Sequence, residues 1–195
     1  MLKNLILLMV AATLAACGKP ELPSPFSAID VTWQHPAIDF HLTDFNGHAR
    51  SLADFKGKAV VLFFGYTHCP EVCPTTLADF AQVMRMLGKD ADKVQVLFVT
   101  LDPERDKPEF LAKYLTSFNP NFLGLYGDAQ ATAQAAKSFG VNYGKVFGKN
   151  GDYTLDHSDG TFLIGGKGKP ILLSPYNQTS QLLVQDIKLL LALDR

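Results

Sequence analysis

Continuous apolar runs alternate with segments of helical periodicity along most of this 195-residue chain. Ala59-Val60-Val61-Leu62-Phe63-Phe64 carries no polar side chain, which predicts a central strand covered on both faces. Val94-Gln95-Val96-Leu97-Phe98-Val99 reads as a second one. Between them, Thr75 to about Leu87 places Leu77, Phe80, Ala81, Met84 and Leu87 on one helical face. Pro108 opens a helix with Phe110, Leu111, Tyr114 and Leu115 at helical spacing. Ala129 to Phe139 predicts a third, stopped by Gly140, and Leu182 to Leu193 an amphipathic last helix. Two hairpins complete the pattern. Ile38-Asp39-Phe40-His41-Leu42 alternates apolar and polar ahead of an Asn46-Gly47 turn. Thr161-Phe162-Leu163-Ile164 and Ile171-Leu172-Leu173 flank a Gly-rich turn. The order predicts a single α/β sandwich, with no internal repeat and no second domain.

The N-terminus obeys a different rule. Lys3 precedes the apolar run Leu5-Ile6-Leu7-Leu8-Met9-Val10-Ala11-Ala12, which is short for a membrane span. Leu14-Ala15-Ala16-Cys17-Gly18 follows and looks like the lipobox of a bacterial lipoprotein. It predicts a signal peptide over residues 1–16 and lipidation at Cys17; an ordinary export signal with an incidental cysteine is the alternative. More than one acyl chain is expected there, and several chains anchor far more stably than one. The expected location is the bacterial periplasm, membrane-anchored, where thiols tend to oxidise. Gly18 leaves inner against outer membrane open. Residues 17–36 carry Pro20, Pro23, Pro25 and Pro36 and predict an extended tether, with the folded domain over 37–195.

Composition narrows the chemistry. With 47% hydrophobic residues, 19% charged, a net charge of −1 and no long basic run, the chain reads as a globular domain, which argues against nucleic acid as a partner. A core of this size needs no disulfide staple. Cys69 and Cys73 are therefore free for chemistry, at the point where a strand hands over to a helix. On a helix, a spacing of four puts two side chains on one face, about 5–6 Å apart. Two such thiolates suit a shared ion or a redox pair, and a structural disulfide is a further reading. Pro70 removes a backbone donor and Pro74 suits a first helical turn. Helix N-terminal amides favour negative charge, so at least one thiol is expected to be more acidic than free cysteine.

Gly65-Tyr66-Thr67-His68-Cys69-Pro70-Glu71-Val72-Cys73-Pro74-Thr75-Thr76-Leu77, Leu101-Asp102-Pro103-Glu104-Arg105-Asp106 and Asp152-Tyr153-Thr154-Leu155-Asp156-His157-Ser158-Asp159-Gly160-Thr161-Phe162-Leu163-Ile164 together resemble the Sco/SenC family (synthesis of cytochrome c oxidase), in order and spacing, over about Ile38 to Leu193. The resemblance implies an α/β thioredoxin-like fold, with a central mixed sheet flanked by helices and an N-terminal β-hairpin. It also implies one copper ion, Cu(I) or Cu(II), held by Cys69, Cys73 and His157. His157 precedes the strand where thioredoxin-like proteins carry a cis-proline, so an open loop bearing a ligand is expected there. Two thiolates suit Cu(I), and an added imidazole lets a site hold Cu(II) as well; zinc is the rival ion.

The implied function is a copper-binding chaperone supporting assembly of the dinuclear copper centre of cytochrome c oxidase. Its expected partners are the copper-site subunit of that oxidase or another copper chaperone, with a monomer as the default. The competing class is a thiol–disulfide oxidoreductase cycling Cys69 and Cys73, acting on that copper site or on other exported proteins. Val72-Cys73-Pro74-Thr75 also echoes a peroxiredoxin site, but Pro70 and Tyr66 stand where that pattern wants threonine and proline. His68 is expected to diverge from Cys69, and His35, His41 and His48 to be solvated. Asp156 either orients His157 or is a plain loop aspartate. Asp102-Pro103 and Arg105-Asp106 read as a turn with a helix cap, or as part of a docking surface.

Overall fold

The computed structural model describes residues 24–34 and 38–194. Its strands are β1 (Ile29–Asp30), β2 (Leu42–Asp44), β3 (Ala49–Arg50), β4 (Ala59–Gly65) and β5 (Val94–Thr100). They continue with β6 (Leu123–Tyr126), β7 (Tyr143–Phe147), β8 (Tyr153–His157), β9 (Thr161–Ile164) and β10 (Ile171–Ser174). The α-helices are α1 (Val72–Leu87), α2 (Pro108–Thr116), α3 (Ala129–Ser138) and α4 (Ser180–Leu193). Eight strands form one mixed sheet in the order β1-β10-β9-β4-β5-β6-β2-β3, and β7 and β8 pair separately. This is the expected thioredoxin-like α/β architecture, with the mixed sheet at its centre and the β2–β3 hairpin near the N-terminus.

The unbroken apolar run explains the centre. All seven residues of β4 are buried, between parallel β5 and antiparallel β9. Phe63 and Phe98 meet Phe80 of α1 and Tyr114 of α2, whereas Phe64 and Phe162 meet Phe139, next to α3. A strand apolar at every position thus supplies two cores at once. Helix α4 packs alongside α1. Local signals set the ends: Gly88 (φ 57°) stops α1, Gly140 (φ 67°) follows α3, and Asp128 caps α3 by accepting from the Ala131 amide at 2.7 Å.

Two departures from the sequence reading matter. Within the stretch read as tether, β1 extends the sheet by pairing with β10, and Ala28 and Val31 are buried. The amides of Ser27 and Ala28 donate to Asp186, each at 2.8 Å. An open sheet edge and a buried carboxylate on α4 supply the partners that an extended segment needs. The signal segment, Cys17 and the tether up to residue 23 lie outside the described residues. Second, β6 and the β7–β8 pair have no counterpart in the sequence reading. Among the described residues no helix is long and apolar enough to cross a membrane.

Gly124 of β6 lets α2 approach closely: an added Cβ would lie 2.6 Å from Leu111 Cγ and 2.6 Å from Leu115 Cδ1. Gly124→Ala should destabilise the fold by about 1–3 kcal/mol. Combined with Leu111→Ala it should cost less than the two changes summed, as read by urea denaturation. A second prediction concerns Asp44, whose side chain is fully buried. Burial alone would raise its carboxyl. Amide hydrogen bonds from His48 and Asn46, with the Arg50 guanidinium, outweigh that and hold it below its ordinary 3.8. A lowered folded-state value stabilises above the unfolded one and is lost as pH falls through the folded one. Stability should therefore drop below about pH 4, less steeply in Asp44→Asn.

Candidate metal centre

The site grows from the end of β4. Gly65, its last residue, has no room for a side chain, because a Cβ there would lie 2.9 Å from Cys73 Sγ. Its carbonyl accepts from the Leu101 amide at 2.8 Å, which ties the cysteine loop to the end of β5. The chain then turns through Tyr66 to Glu71, and α1 begins at Val72. Pro74 sits in the first turn of α1, as its missing N–H allows. Cys73 is also in that turn and wholly buried, while Cys69 lies on the preceding loop, half-buried. Both are free thiols.

The two sulfurs sit in different surroundings. The Cys73 amide, at the helix N-terminus, donates to Cys69 Sγ at 3.4 Å. The acidity expected at this turn does not fall on Cys73. Burial pushes its thiol up, and the nearby Cys69 sulfur and Asp106 carboxylate add to the shift. Burial likewise raises the hydroxyl of Tyr66, which walls the site.

His157 is the last residue of β8 rather than part of an open loop. The reason is the β7 partner, with Tyr143 opposite His157. Its Nδ1 lies 2.8 Å from the Ser158 carbonyl, which only accepts, so Nδ1 carries the proton. Nε2 is left with its lone pair facing Cys73 Sγ at 3.9 Å. Phe63 and Tyr66 hold the ring edge-on, with centroids 6.3 and 6.1 Å away. A cleft of about 440 Å³ opens here, lined by Tyr66, Cys69, Pro70, Glu71, Asp156 and His157 among others. Among the described residues no three His, Cys, Asp or Glu side chains form a finished metal cage. The predicted ligands meet pairwise, Cys73 with His157 and Cys69 with the Cys73 amide.

The donor set still fits a soft ion. Two sulfurs and one unprotonated imidazole nitrogen suit Cu(I), extend to Cu(II), and would also serve zinc with one position open. Other candidates point elsewhere. His68 turns its ring to Thr67 Oγ1 (3.2 Å), to Asp106 (3.5 Å) and over Phe110 (5.8 Å). His41 and His48 are exposed, and His35 lies outside the described residues. Asp156 is exposed, and the bond that orients His157 runs from its Nδ1 to the Ser158 carbonyl, which accepts it. Asp102 and Asp106 are buried, and the N-cap residue of α2, Lys107, makes no side-chain cap bond. These carboxylates therefore serve the interior. The sequence signal was present, as two aspartates and an arginine directly after a buried strand.

The chain is 43% identical over 133 residues to the human mitochondrial protein SCO2 homolog, covering 67% of this chain and 50% of that protein. It spans about half the length of such curated relatives. The structure of Bradyrhizobium japonicum ScoI with copper bound is 44% identical with a TM-score of 0.72, covering 78% of this chain and 98% of that one. BsSco, a member of the Sco family of cytochrome c oxidase assembly proteins in which a disulfide switch was identified, is 25% identical with a TM-score of 0.62, covering 86% of this chain and 96% of that one. A family model described as SCO1/SenC matches residues 33–192, from just after β1 to the last turn of α4, and the chain belongs to that family.

Proposed function

We propose that this chain is a copper carrier, anchored to the membrane through lipidated Cys17 in the bacterial periplasm, that supports assembly of the dinuclear copper centre of cytochrome c oxidase. The observation that carries the reading is the Cys73–His157 approach at 3.9 Å, with the imidazole already in the tautomer that offers Nε2. Cys69, Cys73 and His157 would hold one copper ion, whose contribution when bound is one-electron redox chemistry and a transferable cargo. The protein's own part is to supply soft donors, to keep water from Cys73 by burial, and to leave Cys69 and His157 at an open cleft. A thiolate in so apolar a place needs a nearby positive charge, which a bound cation provides. The copper-bound Bradyrhizobium relative supports this reading. The partner would be the copper-site subunit of the oxidase or another copper chaperone.

The asymmetry of the sulfurs favours a second reading, a dithiol reductase, as does the disulfide switch of BsSco. Partly exposed Cys69 attacks one sulfur of a partner disulfide, forming a mixed disulfide and releasing one partner thiol. Cys73 then attacks Cys69 Sγ, closing the internal disulfide and releasing the second thiol. One partner disulfide is reduced as one forms here.

Copper titration of the reduced full chain in detergent tests the first reading. Stoichiometry near one is expected, with a thiolate-to-Cu(II) charge-transfer band abolished or shifted in Cys69→Ser, Cys73→Ser and His157→Ala. His157→Ala should weaken Cu(II) binding by more than about tenfold, or about 1.4 kcal/mol; an unchanged Cu(II) spectrum would remove His157 from the site. Absence of tight copper binding, with ready cycling of the dithiol against a thioredoxin-type partner, would leave the reductase reading in its place.

A further inference from the structure

We infer that the buried turn from Asp102 to Asp106 is a brace that sets the spacing between the cysteine loop and His157, with Arg105 and Asp106 as positioning residues. The turn leaves the carboxyl end of β5 and is closed on itself. The amides of Arg105 and Asp106 both donate to the Asp102 carbonyl, at 3.1 and 2.9 Å, and Thr100 Oγ1 accepts from the Asp102 amide at 2.9 Å.

One end grips the cysteine loop. Asp106 is 1% exposed, and its carboxylate accepts from the Thr67 amide (2.9 Å), the Thr67 hydroxyl and the Thr100 hydroxyl (2.6 Å). Thr67 lies two residues before Cys69. The other end grips the hairpin that carries His157. Asp102 is 2% exposed, and its carboxylate accepts from Arg105 Nε and from the Tyr153 hydroxyl at 2.9 Å. Arg105 Nη1 donates to the Tyr153 carbonyl at 2.9 Å, and the guanidinium lies 3.7 Å from the Tyr153 ring centroid. Glu104, between them, accepts from Lys145 of β7 at 2.7 Å.

The hairpin needs such a grip. β7 is exposed at every position, and a lone two-stranded ribbon is marginally stable. Tyr153 opens β8 and His157 ends it, about 13 Å further along an extended strand. Pinning Tyr153 to the turn that holds Thr67 therefore sets how far Nε2 lies from the sulfurs. Ordinary turn stability would not require one five-residue segment to reach both halves of the site through buried charged groups.

The experiment uses the full chain and compares Arg105→Gln, Arg105→Lys and the milder Tyr153→Phe with the unaltered protein. In metal-free protein, amide hydrogen exchange over Thr154–His157 should quicken at least about threefold in Arg105→Gln, with α1 and β4 unchanged. Tyr153→Phe should shift the same amides less, and Arg105→Lys should restore part of the protection. With copper, Arg105→Gln should weaken Cu(II) binding about tenfold and shift the charge-transfer band, while Cu(I) binding by the two thiolates stays within about threefold. The copper arm rests on the carrier reading, whereas the exchange arm does not. If the unaltered chain binds no copper, the carrier reading fails and exchange alone decides the brace. Unchanged exchange over Thr154–His157 in Arg105→Gln and Tyr153→Phe would overturn it. So would loss of protection spread evenly over the chain, the mark of a merely structural role.

Discussion

Cys73 Sγ sits where β4, β5 and the first turn of α1 converge, and the packing there leaves no slack. Gly65 gives way to the sulfur on one side, and the space a Cβ would take is already crowded by Phe63 and Phe98. A strand buried at every position must end in a residue this small if a helix is to start against its end. That placement holds one sulfur in apolar surroundings, so its charge state answers to what approaches it. The arrangement of the site follows from this immobile, dry thiol. Cys69 on its loop and His157 on its strand are the groups left with access to solvent and to partners.

The centre therefore joins two unequal halves. The cysteine half belongs to the main sheet and inherits its rigidity from the large apolar core around β4 and β5. The histidine half belongs to a separate ribbon with few buried residues, Leu155 being one. Rigid and adjustable parts meet across Tyr66, which is buried and touches the His157 ring edge-on. On the proposed carrier reading, an ion must be both captured and released, and a ligand on the less stable element suits that demand.

The sequence showed the parts of this fold whose signals are local. The apolar runs of β4 and β5, the helical faces of α1, α2 and α4, and the glycine after α3 were all readable. The α/β class followed from the alternation of those runs and faces, and the family and its thioredoxin-like fold from the cysteine, Asp102–Asp106 and His157 motifs. What escaped reading depends on distant partners. β1 is two residues whose reason for being a strand is the edge of β10 and the carboxylate of Asp186, both distant in the chain. β6 is short, and one of its four residues is Gly124. β7 and β8 expose most of their residues, so no hydrophobic alternation marks them, and the comparison with the thioredoxin-like cis-proline position put His157 on a loop instead. Asp102 and Asp106 looked like surface turn residues because burial of a carboxylate is visible only once Thr67, Thr100 and Tyr153 are in place. Cys17 and its lipobox rest on sequence alone.

Lys145 shows how closely placement and solubility are bound together here. It is the charge at the middle of β7, an edge strand whose tip exposes Val146 and Phe147. Lysines in that position ordinarily deter edge-to-edge joining of chains. This one stays exposed but is engaged, paired with Glu104 at 2.7 Å and held 4.4 Å from the Tyr153 ring centroid. The contact that steadies the histidine ribbon thus spends the edge's own guard. Placement of the histidine ribbon and cover of its open edge therefore draw on the same side chain.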